Sequence, residues 1–337
     1  MLMELGMGEG AATIVAAEDG TASLYITGGS GIIGMGFHSS TAAAALAFVG
    51  CARSFVGEFP VSAQFPLPRG ARVAFRIVTR TGVHSAEFAE EEFRSDSPIT
   101  PIYQAGQHLM TRMRLLDEQR LRVGLSPQAL HVHVYDDGGL CLLAPGDPEP
   151  TWLALNQLQR VLEIAKGHGD RLTISQERGD GRLSPIVRQV VEASALPLAT
   201  ARPPRQVAYF GGTTTLHYAV DIARVDIVED LARRGANLEA RDQRGYSPLI
   251  LAAFKGRTPA LRILLEAGAS VKAHDRHGNG VLLFAAQWGG LEAVKLLLGA
   301  GADMTVRGQN GYTALTVAKL CKQAEVAQFL GSRGAPE

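Results

Sequence analysis

A period of 33 residues runs through positions 205–337 and leaves little freedom for the fold of that part of the chain. Glycine recurs at Gly212, Gly245, Gly278 and Gly311, and leucine at Leu216, Leu249, Leu282 and Leu315. Alanine recurs at Ala219, Ala252, Ala285 and Ala318, and a second leucine at Leu231, Leu264, Leu297 and Leu330. Each period closes on a Gly-Ala pair, beginning at Gly235, Gly268, Gly301 and Gly334. Each position has a physical task. Gly245 and its equivalents suit a tight turn with positive φ. Ser247-Pro248-Leu249 opens a helix with a capping hydroxyl and a first-turn proline. The alanines let two helices approach closely, and the terminal glycines stop the second helix. A unit this short cannot bury its own apolar face, so it must stack on its neighbours.

The first copy, Thr213-Thr214-Thr215-Leu216-His217-Tyr218-Ala219, is close to TPLHxA without its proline, and the pattern resembles the ankyrin family. That resemblance implies an all-α solenoid of four repeats, about 212–240, 241–273, 274–306 and 307–337, with no chemistry of its own. It also implies partner binding through hairpin tips and the concave face. The tips carry Arg241, Asp242, Arg244 and Tyr246, then His274, Asp275, Arg276, His277 and Asn279, then Arg307, Gln309, Asn310 and Tyr312. The concave positions are Phe254, Lys255, Gln287 and Trp288. Arg, Tyr and Trp are the types that most often dominate interface energetics. Tyr246 and Tyr312 either pack on adjacent tips or meet a partner, and Trp288 either fills a groove or stands exposed. The third copy, Gly278-Asn279-Gly280-Val281-Leu282, lacks both threonine and proline, so it should have the weakest helix start.

Residues 1–196 read as an α+β module of β-hairpin and helix units. Segments 12–15 and 21–26 flank Asp19-Gly20, a strong hairpin signal. A helix follows over 39–56, then a second hairpin over 72–79 and 83–90, then a helix over 101–122. Segments 130–135 and 140–143 flank Asp137-Gly138; that two-residue turn sets Cys141 opposite Val134, away from the face of His131 and His133. A helix over 152–166, a strand over 171–176 and a helix over 185–195 complete the module. Its two halves meet near Gly124, and residues 197–204 read as a linker.

The stretch Thr27-Gly28-Gly29-Ser30-Gly31-Ile32-Ile33-Gly34 matches GxGxxG and resembles the start of the extended short-chain dehydrogenases. Three features oppose a dinucleotide site. The preceding strand is the second arm of a hairpin, no acidic residue lies between Gly34 and Glu58, and the first lysine is Lys166. The loop over Gly28–Gly36 reads instead as a tight crossing, with anion binding by its backbone amides as the lesser alternative. His131 and His133 share a strand face but lack a third ligand, so no metal is expected. No cofactor is expected either.

Composition narrows the rest. Hydrophobic residues make up 46%, charged residues 20%, and the formal net charge is zero, so nothing points to nucleic acid or to an anionic membrane. The three cysteines form no CxxC, which fits a reducing compartment. No secretory signal or membrane span is evident, and arginine exceeds lysine 27 to 6, as in proteins of GC-rich bacteria. The leading expectation is a cytoplasmic, non-enzymatic protein-binding protein, in one concrete form a bacterial immunity protein that grips an acidic toxin. The rival is an enzyme with a small-molecule site at Gly28–Gly36 and repeats that recruit substrate or regulator.

Overall fold

The computed structural model describes residues 1–7, 10–27, 31–32, 39–93, 97–123, 129–143, 150–168, 171–176, 185–194, 198–200 and 213–336. They divide into two compact units, Met1–Ala208 and Tyr209–Glu337. The first is α+β and the second is helical.

Six strands form the first sheet of the N-terminal unit: β1 (Leu2–Met7), β2 (Gly10–Ala16), β3 (Ala22–Ile26), β4 (Gly31–Ile32), β5 (Arg72–Thr79) and β6 (Gly82–Ala89). Their order is β4-β3-β2-β1-β5-β6, antiparallel throughout. β1, which no turn or periodicity signal in the sequence marks, is an inner strand with Met3 fully buried. Helices α1 (Ser39–Ala52) and α2 (Thr100–Val123) supply Ala44, Ala45, Phe48, Ile102, Leu109 and Met113 to the core on one face. α2 lies close against the sheet at Gly106: a Cβ there would lie 2.5 Å from Met3 Sδ on β1 and 3.2 Å from the Phe48 ring on α1. That contact explains a glycine inside a long helix, which otherwise weakens it by about 1 kcal/mol.

The second sheet contains β7 (Ala129–Val134), β8 (Leu140–Leu143), β9 (Thr151–Leu153), β10 (Arg171–Gln176) and β11 (Leu198–Thr200), in the order β11-β10-β7-β8-β9. β7, β10 and β11 run parallel, and α3 (Leu155–His168) and α4 (Pro185–Ser194) pack on one face. α1 is apolar all round because it serves both cores; Ala43 and Leu46 belong to the second.

Three expectations are corrected here. Thr151–Leu153 is strand rather than helix start, since Trp152 pairs with Cys141 at the sheet edge. Leu198–Thr200, read as linker, pairs in parallel with Leu172–Ile174, because the outer edge of β10 offers its backbone hydrogen-bonding partners. Cys141 pairs with His133, not Val134. The turn is a three-residue loop, Asp136-Asp137-Gly138, closed by Tyr135 N–H donating to Gly139 O at 2.9 Å, with Gly138 at φ 88°. One extra turn residue shifts the register by one and flips every following side chain, which brings Cys141 onto the histidine face. Gly124, Gly212 and most of the Gly28–Gly36 loop lie outside the described residues.

The helical unit holds four helix pairs: α5 (Thr215–Asp221) with α6 (Val225–Arg233), α7 (Pro248–Phe254) with α8 (Thr258–Glu266), α9 (Val281–Phe284) with α10 (Gly290–Gly299), and α11 (Ala314–Leu320) with α12 (Ala324–Ser332). Thr214, Ser247 and Thr313 cap the first helix of their pairs through their hydroxyl oxygens, which accept from His217, Ile250 and Thr316 N–H. Gly280 leaves the third pair without a side-chain cap, as its sequence foretold. Replacing Ser247 by alanine should therefore cost about 1 kcal/mol of unfolding stability in a urea titration. An unchanged midpoint would show that the cap is idle.

Candidate partner-binding face

Several tip residues are engaged within the protein. Arg241 Nη1 donates to Gly245 O at 2.9 Å and also to His274 O on the next tip, and Arg307 Nη1 donates to Gly311 O at 2.8 Å. Asp242 Oδ1 accepts from the N–H of Arg244 and Tyr246, and Asp275 Oδ1 from those of His277 and Asn279. Asn279 also donates to Asp275 Oδ2 at 3.0 Å and accepts from Gln309 N–H at 3.1 Å, which links two tips. Lys255 Nζ lies 2.7 Å from Asp221 Oδ1. Arg244, Arg276, His277 and Asn310 are exposed. The Arg276 stem runs along the preceding tip, where a Cβ on Gly245 would lie 2.5 Å from Arg276 Cγ, so that position must stay glycine.

The first helices of the second and third pairs share an aromatic cluster. Tyr246 stands 5.7 Å from Phe254 and 5.2 Å from Phe284, centroid to centroid, and Phe254 stands 6.0 Å from Trp288 with nearly perpendicular rings. Such separations and tilts are favourable for aromatic pairs. Tyr246 is half-buried, and burial, with the Asp275 carboxylate second, pushes its hydroxyl above the usual tyrosine range. Tyr246 therefore packs between copies, whereas Trp288 is 56% exposed and Tyr312 43%.

Trp288 owes its place to a local distortion. After four α-helical residues the helix widens to π geometry over Ala285–Gly289. In the other pairs the residue with positive φ is Ala223, Gly256 or Lys322; by the 33-residue period Gly289 should follow them, yet Gly290 takes that role at φ 73°. An uncapped start and two successive glycines leave this helix free to take the wider turn. Single π turns concentrate at functional sites.

Beside the cluster lies a slot of about 290 Å³ between α9 and α11, lined by Leu283, Phe284, Tyr312, Val317, Leu320 and Cys321, with Asn279, Gln287 and Asn310 at its polar margin. Leu320 is 61% exposed. Leu283, Phe284, Val317, Leu320 and Cys321 were not singled out from sequence. One signal was available: Leu320 stands two periods after Phe254, at the same place on the face.

In the N-terminal unit, His131 Nε2 and His133 Nδ1 both meet Ser175 Oγ, at 2.6 and 2.7 Å. One hydroxyl proton serves one of the two rings, so the other ring must donate. Burial lowers the pKa of both histidines, that of His133 to about 4 with His131 adding to the shift, and both rings are neutral near pH 7. Cys141, buried beside them, is pushed up to about 12, so its thiol stays protonated. Among the described residues, no three His, Cys, Asp or Glu side chains group as for a metal ion. No described helix is long and apolar enough to cross a membrane.

A family model described as ankyrin repeats, in three copies, matches residues 198–275 and 216–308; α11 and α12 lie beyond the match. A stretch of 46 residues is 52% identical to the human 2-5A-dependent ribonuclease, which amounts to 14% of this chain and 6% of that protein's length. This chain thus spans only a small part of that relative.

Proposed function

Because the C-terminal part of the chain carries ankyrin repeats, we propose that this protein captures another protein on the face formed by the first helices of the second to fourth copies. Ankyrin repeats bind other proteins, and the carrying observation is the aromatic cluster that ends in Trp288. Tyr246, Phe254 and Phe284 brace one another, so the exposed indole stands on a pre-packed base and loses little freedom on binding. Its ring buries a large apolar area and keeps one donor for the partner. Arg244 and Arg276 on the hairpin tips are exposed cations, which favour encounter with an acidic partner at low salt.

The test is affinity purification from a lysate of the producing cells with the parent chain, Trp288→Ala and Arg276→Glu, followed by affinities for the purified partner. Trp288→Ala should weaken binding by about 2 kcal/mol or more, roughly thirtyfold. Circular dichroism must first show each variant folded. Binding within about twofold of the parent by both variants removes this face from the reading.

A further inference from the structure

We infer that the slot between α9 and α11 receives one bulky apolar side chain from an acidic segment of the partner protein; this rests on the reading that the array captures a protein. The volume, about 290 Å³, lies at the lower limit of small-molecule sites, so the slot suits a side chain better than a cofactor. Leu283, Phe284 and Val317 line it as the least exposed members, while Tyr312 and Leu320 hold large apolar areas in water at its edge. A side chain seated here removes those areas from water, the dominant favourable term in association.

The charges around the slot decide the rest of the segment. Neither α9, nor the π turn after it, nor α11 carries a carboxylate. In the third and fourth copies Glu292 and Glu325 stand on the second helices, α10 and α12, and Asp303 is bonded to Thr305. Asp275 is buried in its own turn. The cations Arg276, Arg307, Lys319 and Lys322 occupy the tips and the end of α11, all exposed. With no carboxylate on the helices that frame the slot, and exposed cations on the tips that supply Asn279 and Asn310 to its margin and at the end of α11, aspartate and glutamate beside the anchor find counter-charges where lysine and arginine do not. The amides of Gln287 and Asn310 at the margin offer donors and acceptors to the backbone of such a segment.

A random linear peptide library displayed on phage, selected against the full chain, tests this. The expected winners carry a phenylalanine, tryptophan or leucine flanked by acidic residues. Their affinity should fall about tenfold with Leu320→Glu, a change at an exposed position whose fold circular dichroism checks first, and by a smaller factor with Lys322→Glu. Winners without acidic residues, or winners indifferent to Leu320→Glu, overturn the inference. Peptides that lose affinity with Trp288→Ala but not with Leu320→Glu overturn the slot and leave the broader reading standing. A library that yields no binder also overturns the slot, while the affinity purification above still judges the broader reading.

Discussion

Glu4→Ala should lower the stability of the N-terminal unit by about 3–5 kcal/mol, the usual cost of removing one member of a buried ion pair. Glu4 on β1 and Arg76 on β5 are both buried, and Arg76 Nε donates to Glu4 Oε2 at 2.7 Å. The same guanidinium donates to Pro66 O at 2.7 Å and to Ser85 Oγ at 3.3 Å, and it lies 5.2 Å from the Phe65 ring centroid. It therefore ties three strands of the sheet, β1, β5 and β6, to the segment before β5. Removing Glu4 leaves a desolvated cation whose partners among the described residues, Pro66 O and Ser85 Oγ, are neutral. The double variant Glu4→Leu/Arg76→Met should recover most of the loss, because replacing both charges by apolar groups also removes the desolvation cost. Urea titrations followed by circular dichroism check both. A double variant as unstable as Glu4→Ala would mean that Arg76 matters for packing and not for its charge.

Acidification should destabilise the same unit through His133. Its ring is fully buried, and burial first, then the neighbouring His131, holds its pKa at about 4, with Asp136 opposing. Between the ordinary imidazole value and about 4, the unfolded chain takes up a proton that folded His133 does not. Stability is thus complete above the ordinary value, declines as the pH falls through this window, and stops declining from this source below about 4. At about 1.4 kcal/mol per pH unit, the loss amounts to about 3 kcal/mol. Carboxylates titrate in part of the window, so the comparison that matters is parent against His133→Asn. The difference in unfolding free energy between the two should shrink as the pH drops from 7 toward 4. A difference that stays constant across the range would show that the buried ring titrates normally.

What the sequence by itself determined is the repetitive C-terminal part of the chain. The 33-residue spacing fixes where each turn and helix falls, because every copy solves the same packing problem with the same residues. The uncapped third copy was legible for the same reason: Gly280 stands where Thr214, Ser247 and Thr313 place a hydroxyl. The hairpins around Gly20 and Gly82 and the helices over 39–52 and 100–123 were legible from turn residues and apolar patterning. Tertiary structure alone decided the rest. Whether Asp137-Gly138 closes a two- or three-residue loop depends on how the strands pair, and that one residue put Cys141 beside His133. β1 and β11 are strands because neighbours distant in sequence offer them hydrogen-bonding partners. Trp288 could be placed on the inner face by its position in the period, but not on a π turn: an uncapped start and two glycines permit the wider turn, and only the backbone path over Ala285–Gly289 shows that it is taken. Phe284 looks like an ordinary core residue in sequence, and Leu320 shows only its place in the period, two repeats after Phe254. Only the approach of α9 to α11 makes them two walls of one slot.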